Sequence, residues 1–301
     1  MDSYVKARKT LRQLFRCAEV KHLTFTGGEP LMAERIEELI LYVRLKKKGV
    51  TLITNGSGGD VSRYQTLVSM GIEVFEIPVH AHISEIHDDI TRTPGSWEKS
   101  VQSIKTLRGM GAYVVPVLVA TKINIPFIRE TLEFIHGLGC GQIMLNRYNI
   151  GGEGFAENER ILPAKEELRN GWAIANEMAG TMGLKLSSNV CTPVCLLDPD
   201  DYPAIVFGHC SDKPERMPIT IDIEGNLRLC NHSPVIAGNI HHQSFDEIFA
   251  TPHVKGWLKT TPDFCESCRA YEKCLGGCRA AALQAGLSAN DVDPVVTLYR
   301  S

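Results

Sequence analysis

Between residue 20 and about residue 190, five short apolar, β-rich runs alternate with amphipathic stretches of helical length. The runs are residues 21–26, 50–54, 73–79, 113–120 and 142–146. The stretches 33–48, 97–110 and 128–136 carry the spacing of one buried helical face. Gly49, Gly71, Gly111 and Gly139 stand near helix ends, where a left-handed cap is wanted. Strands joined by helix-length crossovers pair in parallel, so this alternation demands an α/β fold with a parallel sheet covered by helices. In such folds ligands gather at the carboxyl ends of the strands. Residues 159–183 read as one further long helix, after which the periodicity gives way to Cys-, Pro- and Asp-rich sequence. A boundary near residue 190 follows, giving domains 1–190 and 191–301. In the second, residues 219–223 and 227–230 flank Glu224-Gly225-Asn226, a hairpin in which Gly225 supplies the positive φ.

The strand ends carry the candidate binding residues. The first runs into Thr26-Gly27-Gly28-Glu29-Pro30, where two glycines leave backbone open to a ligand, Glu29 offers a carboxylate and Pro30 suits the first helical position. The second ends in Thr54-Asn55-Gly56, and the third in Pro78-Val79-His80-Ala81-His82. Gly151-Gly152-Glu153-Gly154, after the fifth run, reads as a loop. Trp172 and Met178 read as core, and Cys17 and Cys140 as buried apolar residues.

Eight of the ten cysteines lie between Cys191 and Cys278, which is the chemical signal of the chain. They include Cys265-x2-Cys268-x5-Cys274-x3-Cys278, preceded by Cys210-x14-Gly225-x4-Cys230. Thiolates are soft ligands, and short loops bring several onto one zinc ion or iron–sulfur cluster. A zinc ribbon would use two C-x2-C knuckles; the x5 and x3 spacings do not form them, and Cys191, Cys195, Cys210 and Cys230 exceed one such site. Bulk properties exclude other classes. A net charge of −3 gives no basic stripe for nucleic acid, and no apolar run reaches the ~18 residues of a membrane span. Nor does the polar, basic start resemble a signal peptide, so a cytoplasmic protein with reduced thiols is expected.

Taken together, Gly27-Gly28-Glu29-Pro30, Thr54-Asn55-Gly56 and the C-terminal cysteine pattern resemble the radical S-adenosylmethionine enzymes that carry a SPASM extension. The resemblance covers nearly the whole chain. It implies a partial (β/α)6 barrel lacking its first strand, followed by a small Cys-rich SPASM domain with a β-hairpin. It also implies that Gly27, Gly28, Glu29 and Pro30 bind the amino group of the methionine moiety of S-adenosylmethionine. Thr54, Asn55 and His80 are the matching further contacts, although relatives commonly end the third strand in a Ser and an Asp where this chain has Pro78 and His80. One or two auxiliary iron–sulfur clusters are implied. The first would take Cys210, Cys230 and Cys278 with Cys195, chosen over Cys191. The second would take Cys265, Cys268 and Cys274, and its usual fourth ligand falls at Val296. Asp291, Asp293, water or a substrate group would then complete that site, unless the cluster is labile or absent.

Relatives also carry a C-x3-C-x2-C loop ahead of the helix that precedes the glycine motif, whereas residues 1–22 hold only Cys17, in what reads as that helix. The expectation is a chain beginning downstream of the loop, as a truncated form or as a degenerate relative that binds without cleaving. Such a chain alone makes no 5′-deoxyadenosyl radical. The activity implied for the full-length enzyme is hydrogen abstraction from a peptide or protein substrate, as in peptide maturases, with electrons from a donor such as flavodoxin or ferredoxin. The alternative is a non-catalytic iron–sulfur binding or electron-transfer module. No residue is assigned the proton transfer.

Overall fold

A computed structural model describes residues 2–211, 213, 216–259 and 261–299. They divide into two compact units, one of residues 19–146 with 170–187, the other of residues 1–18, 147–169 and 188–301.

The first unit is built on strands β1 (His22–Phe25), β2 (Gly49–Ile53), β3 (Val74–Pro78), β4 (Val114–Ala120), β5 (Gln142–Arg147) and β6 (Lys185–Ser188), side by side in sequence order. Pairing is parallel, with Leu23 opposite Val50, Leu52 opposite Phe75, Ile77 opposite Pro116 and Ile143 opposite Leu186. Val50, Leu52, Phe75, Ile77, Ile104 and Leu107 are wholly buried, each contributing ~1.5–3 kcal/mol by its removal from water. Five strands thus fall within two residues of the runs read from sequence. The sixth, β6, was not among them: it has four residues, two of them serine, and its outward residues are polar.

The helix Ile36–Leu45 buries Ile36, Leu39, Ile40 and Val43, one face at helical spacing. It starts later than residue 33 because Arg35, its N-cap, has a left-handed backbone (φ 57°) that no helix can pass through. At its far end Lys47 (φ 58°), and not Gly49, takes the left-handed position. Gly49 lies in β2, where a side chain would collide with His22 and Glu73. Gly71, Gly111 and Gly139 do have positive φ. The long helix expected over residues 159–183 is two, Asn158–Ile161 and Lys165–Met182. Pro163 parts them, since proline lacks the N–H and pushes the preceding Leu162 to extended backbone (ψ 116°). Trp172 and Met178 are buried, as the sequence suggests.

In the second unit a three-stranded antiparallel sheet has the order β10-β9-β8, with β8 Thr220–Ile221, β9 Asn226–Arg228 and β10 Gly238–Asn239; another strand, β7 (Ile205–Phe207), precedes it in the chain. The expected hairpin forms, with Gly225 at φ 83° and Asp222 Oδ1 accepting from the N–H groups of Glu224 and Asn226. Leu227, Leu229, Ile240, Ile248, Val254 and Trp257 form its core, and Cys278 is buried among them. The helix Ser3–Cys17 belongs to this unit. Thr10 Oγ1 lies 2.9 Å from both the Ile223 carbonyl and His241 Nε2, and Gln13 Nε2 donates to the Ile240 carbonyl at 3.0 Å. Cys17, expected to be buried, is exposed at the end of that helix, whereas Cys140 is buried. Residues 152–157 form a 3-10 turn where a loop was read.

Candidate cofactor and metal sites

Because β1 to β3 run in parallel, the segments that follow them lie at one edge of the sheet. Gly27 and Gly28 have positive φ (93° and 50°), and no atom lies within 4 Å of where a side chain would project from either. The turn is therefore open on the side where a side chain would project. Glu29 does something other than wait for an ammonium group. Its Oε1 accepts from Leu31 N–H at 2.9 Å and from the Thr54 hydroxyl at 2.6 Å, and its Oε2 from Asn55 N–H at 2.7 Å. The carboxylate ties the glycine turn to the end of β2, and Pro30 follows as the first residue of a buried 3-10 turn. Thr54 is buried and also accepts from Gly56 N–H. Asn55 is exposed, and its Oδ1 accepts from Ser57 N–H.

His80 follows β3 and is held on three sides. Its N–H donates to His87 Nδ1 at 3.0 Å, its Nδ1 accepts from Val119 N–H at 3.3 Å, and its carbonyl accepts from Asn124 Nδ2 at 2.8 Å. The two imidazoles stack with centroids 5.2 Å apart. His80 retains some exposed area yet is densely surrounded, and burial, with His87 beside it, pushes it down to about 3. Burial likewise pushes His87 down to about 4, against the raising effect of Asp88. Both rings are thus neutral at physiological pH. Asn124 and His87 were not read from sequence; a Thr121-x2-Asn124 turn after β4 is the signal that was there to find.

The cysteines of the second unit fall into two sets. Cys191 and Cys210 hydrogen-bond to each other, and the charge of Cys278 acts on Cys191. Cys191 is pushed well above its usual value first by that bond and then by burial, and Cys210 is pushed down by the same bond. Cys230, raised by burial, is within reach of Cys210. Cys195 instead neighbours Cys274 and Cys268, and all three act on Cys265, which burial pushes up to about 11. Cys191 thus lies within electrostatic reach of Cys210 and Cys278, and Cys195, the expected partner of that set, within reach of Cys265, Cys268 and Cys274 instead. Between Cys191 and Cys195 lies Pro193, whose carbonyl accepts from both Leu196 and Leu197 N–H, so the chain turns at the second cysteine.

Groups around the first set suit thiolate sulfur. Asn149 Nδ2 donates to Cys278 Sγ at 3.4 Å and His232 N–H to Cys230 Sγ at 3.2 Å. Beneath them lies a buried ion pair missed in the sequence: Arg147 Nη2 and Asp293 Oδ2 are 2.5 Å apart, and the side chains are 1% and 0% exposed. Arg147 Nη2 also donates to the Cys191 carbonyl at 2.7 Å, while Asp293 Oδ2 accepts from Cys278 N–H at 2.9 Å. Asp293 Oδ1 accepts from Val295 N–H. Its oxygens are thus committed, which removes it as the completing ligand considered above.

No three His, Cys, Asp or Glu side chains among the described residues stand round one point as a single metal ion requires. Four thiolates about 2.3 Å from one zinc would lie within about 4 Å of each other, whereas a cluster gives each thiolate its own iron and spreads them. The thiol-rich donor set, with Asn149 Nδ2 and His232 N–H aimed at the sulfurs of Cys278 and Cys230, fits iron–sulfur ligation on that chemistry. No helix among the described residues is long and apolar enough to cross a membrane.

Residues 3–135 match the Radical SAM superfamily, and residues 210–274 match SPASM, an iron–sulfur cluster-binding domain. Over 286 residues the chain is 23% identical to the PqqA peptide cyclase of Gluconobacter oxydans, covering 93% of this chain and 77% of that protein. Among solved structures, anSMEcpe with bound AdoMet and a Cp18Cys peptide superposes with a TM-score of 0.73 at 15% identity, covering 100% of this chain and 87% of that one. Streptococcus suis SuiB bound to S-adenosylmethionine gives 0.70 at 15% identity, covering 97% and 69%. The two matches identify in this chain a radical S-adenosylmethionine domain over residues 3–135 and a SPASM iron–sulfur cluster-binding domain over residues 210–274.

Proposed function

We propose that this protein works on a peptide or protein substrate in a radical S-adenosylmethionine reaction, with S-adenosylmethionine seated on the strand ends and two auxiliary clusters in the SPASM domain. In this reading the unit of residues 19–146 with 170–187 forms the partial barrel, and the unit of residues 1–18, 147–169 and 188–301 carries the auxiliary clusters, so the single boundary expected near residue 190 gives way to a chain that crosses between the units more than once. The single observation that carries it is the gathering of Cys191, Cys210, Cys230 and Cys278, and of Cys195, Cys265, Cys268 and Cys274, into two sets within one compact unit. The chemistry such a cofactor would supply, once an electron from a reduced cluster cleaves its sulfonium S–C5′ bond and releases methionine, is hydrogen abstraction from substrate by the resulting carbon radical. The residues of this chain do the rest. Carbonyls of Gly27 and Gly28 receive the ammonium group, while Glu29 holds the turn against Thr54 and Asn55. The uncharged His80 and His87 pin β3 to β4 at the same edge. The peptide specificity of the PqqA cyclase supports the substrate class, and a cytoplasmic flavodoxin or ferredoxin is the fitting electron donor.

Within these 301 residues no C-x3-C-x2-C precedes Gly27. That observation favours a second reading for the chain as it stands, a cluster-bearing binding or electron-transfer module that cleaves no S-adenosylmethionine. Anaerobic purification with iron and sulfide reconstitution tests both. A brown protein with broad visible absorption is expected, and a colourless one without iron sinks the cluster assignment. Incubation with S-adenosylmethionine and dithionite then separates the readings: 5′-deoxyadenosine release supports the enzyme, and its absence supports the module.

A further inference from the structure

Three thiols, those of Cys265, Cys268 and Cys274, make a set that the sequence leaves one ligand short. Cys265 and Cys268 sit on one turn, closed by Cys268 N–H to the Cys265 carbonyl at 3.0 Å, and Cys274 N–H bonds to the Ala270 carbonyl at 3.0 Å. The turn that carries Cys195 lies against this segment, with Lys273 and Asp200 paired at 3.2 Å across the two. Leu196 and Leu197 are buried anchors, and Arg169 Nε donates to the Leu196 carbonyl at 3.1 Å, so the turn is fixed while Cys195 itself is exposed. Cys195 and Val296 line one small cavity of about 90 Å³, with Lys165, Leu196 and Tyr299. The other candidates are engaged elsewhere: Asp293 by Arg147, Cys278 and Val295, and Asp291 by Ser288 N–H at 2.7 Å.

We propose that Cys195 is the fourth thiolate of the second auxiliary cluster, reaching from a preceding turn the place where Val296 offers no ligand. The inference rests on the iron–sulfur reading of this unit. On loading, the Cys195 thiol gives its proton to solvent and its sulfur bonds to the fourth iron, with no change in oxidation state. Because Cys195 and Cys268 are exposed, this cluster is the more accessible of the two.

The test compares the reconstituted 301-residue chain with Cys195→Ala and with Cys195→Ala/Val296→Cys. Expected for Cys195→Ala is iron loss to a chelator at least tenfold faster from one cluster, and a [3Fe–4S] signal in the electron paramagnetic resonance spectrum on oxidation. The first cluster's signal should persist, which also reports that the variant folds. Restoring a thiol at Val296 should recover slow loss. In unmodified protein, iodoacetamide should label Cys195 in the metal-free form and spare it in the loaded form, a readout that needs no variant. Unchanged chelator kinetics in Cys195→Ala, or equal labelling of Cys195 in both forms, overturns the proposal. A wild-type chain that takes up no iron overturns instead the cluster reading beneath it.

Discussion

Removing one partner of the Arg147–Asp293 pair should be the most damaging polar substitution in the cysteine-rich unit. Both side chains are sealed from water, and the pair is the post to which the Cys191 carbonyl and the Cys278 N–H are fastened. Asp293→Ala strands a guanidinium in the interior; breaking a buried pair in this way costs ~3–5 kcal/mol, whereas replacing both members by apolar groups costs far less. For a unit of this size each kcal/mol lowers the midpoint by ~2–4 °C, so a fall of roughly 6–20 °C is expected. Asp293→Ala, Arg147→Met and the double Arg147→Met/Asp293→Leu would be compared by guanidinium denaturation of metal-free protein, alongside iron retention after reconstitution. Each single change should lose the first cluster's iron before the second's, and the double should be more stable than either single. Singles costing under about 1 kcal/mol, or a double whose loss equals the sum, would refute the reasoning.

Glu29→Ala removes three hydrogen bonds to a carboxylate, and about 2–3 kcal/mol of stability should go with them in chemical denaturation; Glu29→Gln, which keeps an acceptor for the Thr54 hydroxyl, should lose less. His87 is wholly buried and titrates at about 4 in the folded chain against 6.5 unfolded, so the unfolded state binds the proton first as pH falls. His80, pushed down to about 3, adds to the same effect. Stability should therefore be full above about pH 6.5 and decline by up to about 1.4 kcal/mol per pH unit for each of the two rings towards pH 4; His87→Asn should take away about half of that slope, and an unchanged slope would contradict the assignment. Asn149→Ala deletes an N–H donor to Cys278 sulfur and should make the first cluster harder to reduce, by on the order of tens of millivolts in a spectroscopically monitored redox titration.

The parallel sheet was legible because β2 and β4 are almost wholly apolar in side chain and, with β5, largely buried, and such runs stand out between helices. β6 was not, since Lys185 and its serines give a four-residue run too polar and short to read. The glycine turn was legible as open backbone, but the task of Glu29 was not, because a carboxylate's partners come from β2, some 25 residues on. Which of Cys191 and Cys195 joins which set could not be read from spacing, as the two are four residues apart and a turn at Pro193 decides it. Arg147 left a faint mark: a guanidinium ending the apolar run of β5, matched by an aspartate ahead of Pro294, is the pattern of an internal ion pair.

The attachment of the helix Ser3–Cys17 to Ile223, Ile240 and His241 has a temporal side. Thr10 and its acceptor Ile223 are separated by 213 positions. At ~5–20 residues per second of synthesis, the helix leaves the ribosome roughly 10–40 s before its docking surface exists. It must wait as an unpartnered amphipathic segment while the sheet assembles beside it. This helix therefore completes its packing well after it is made, and a chain halted anywhere before the hairpin would leave that apolar stripe open to chaperones or to another nascent copy.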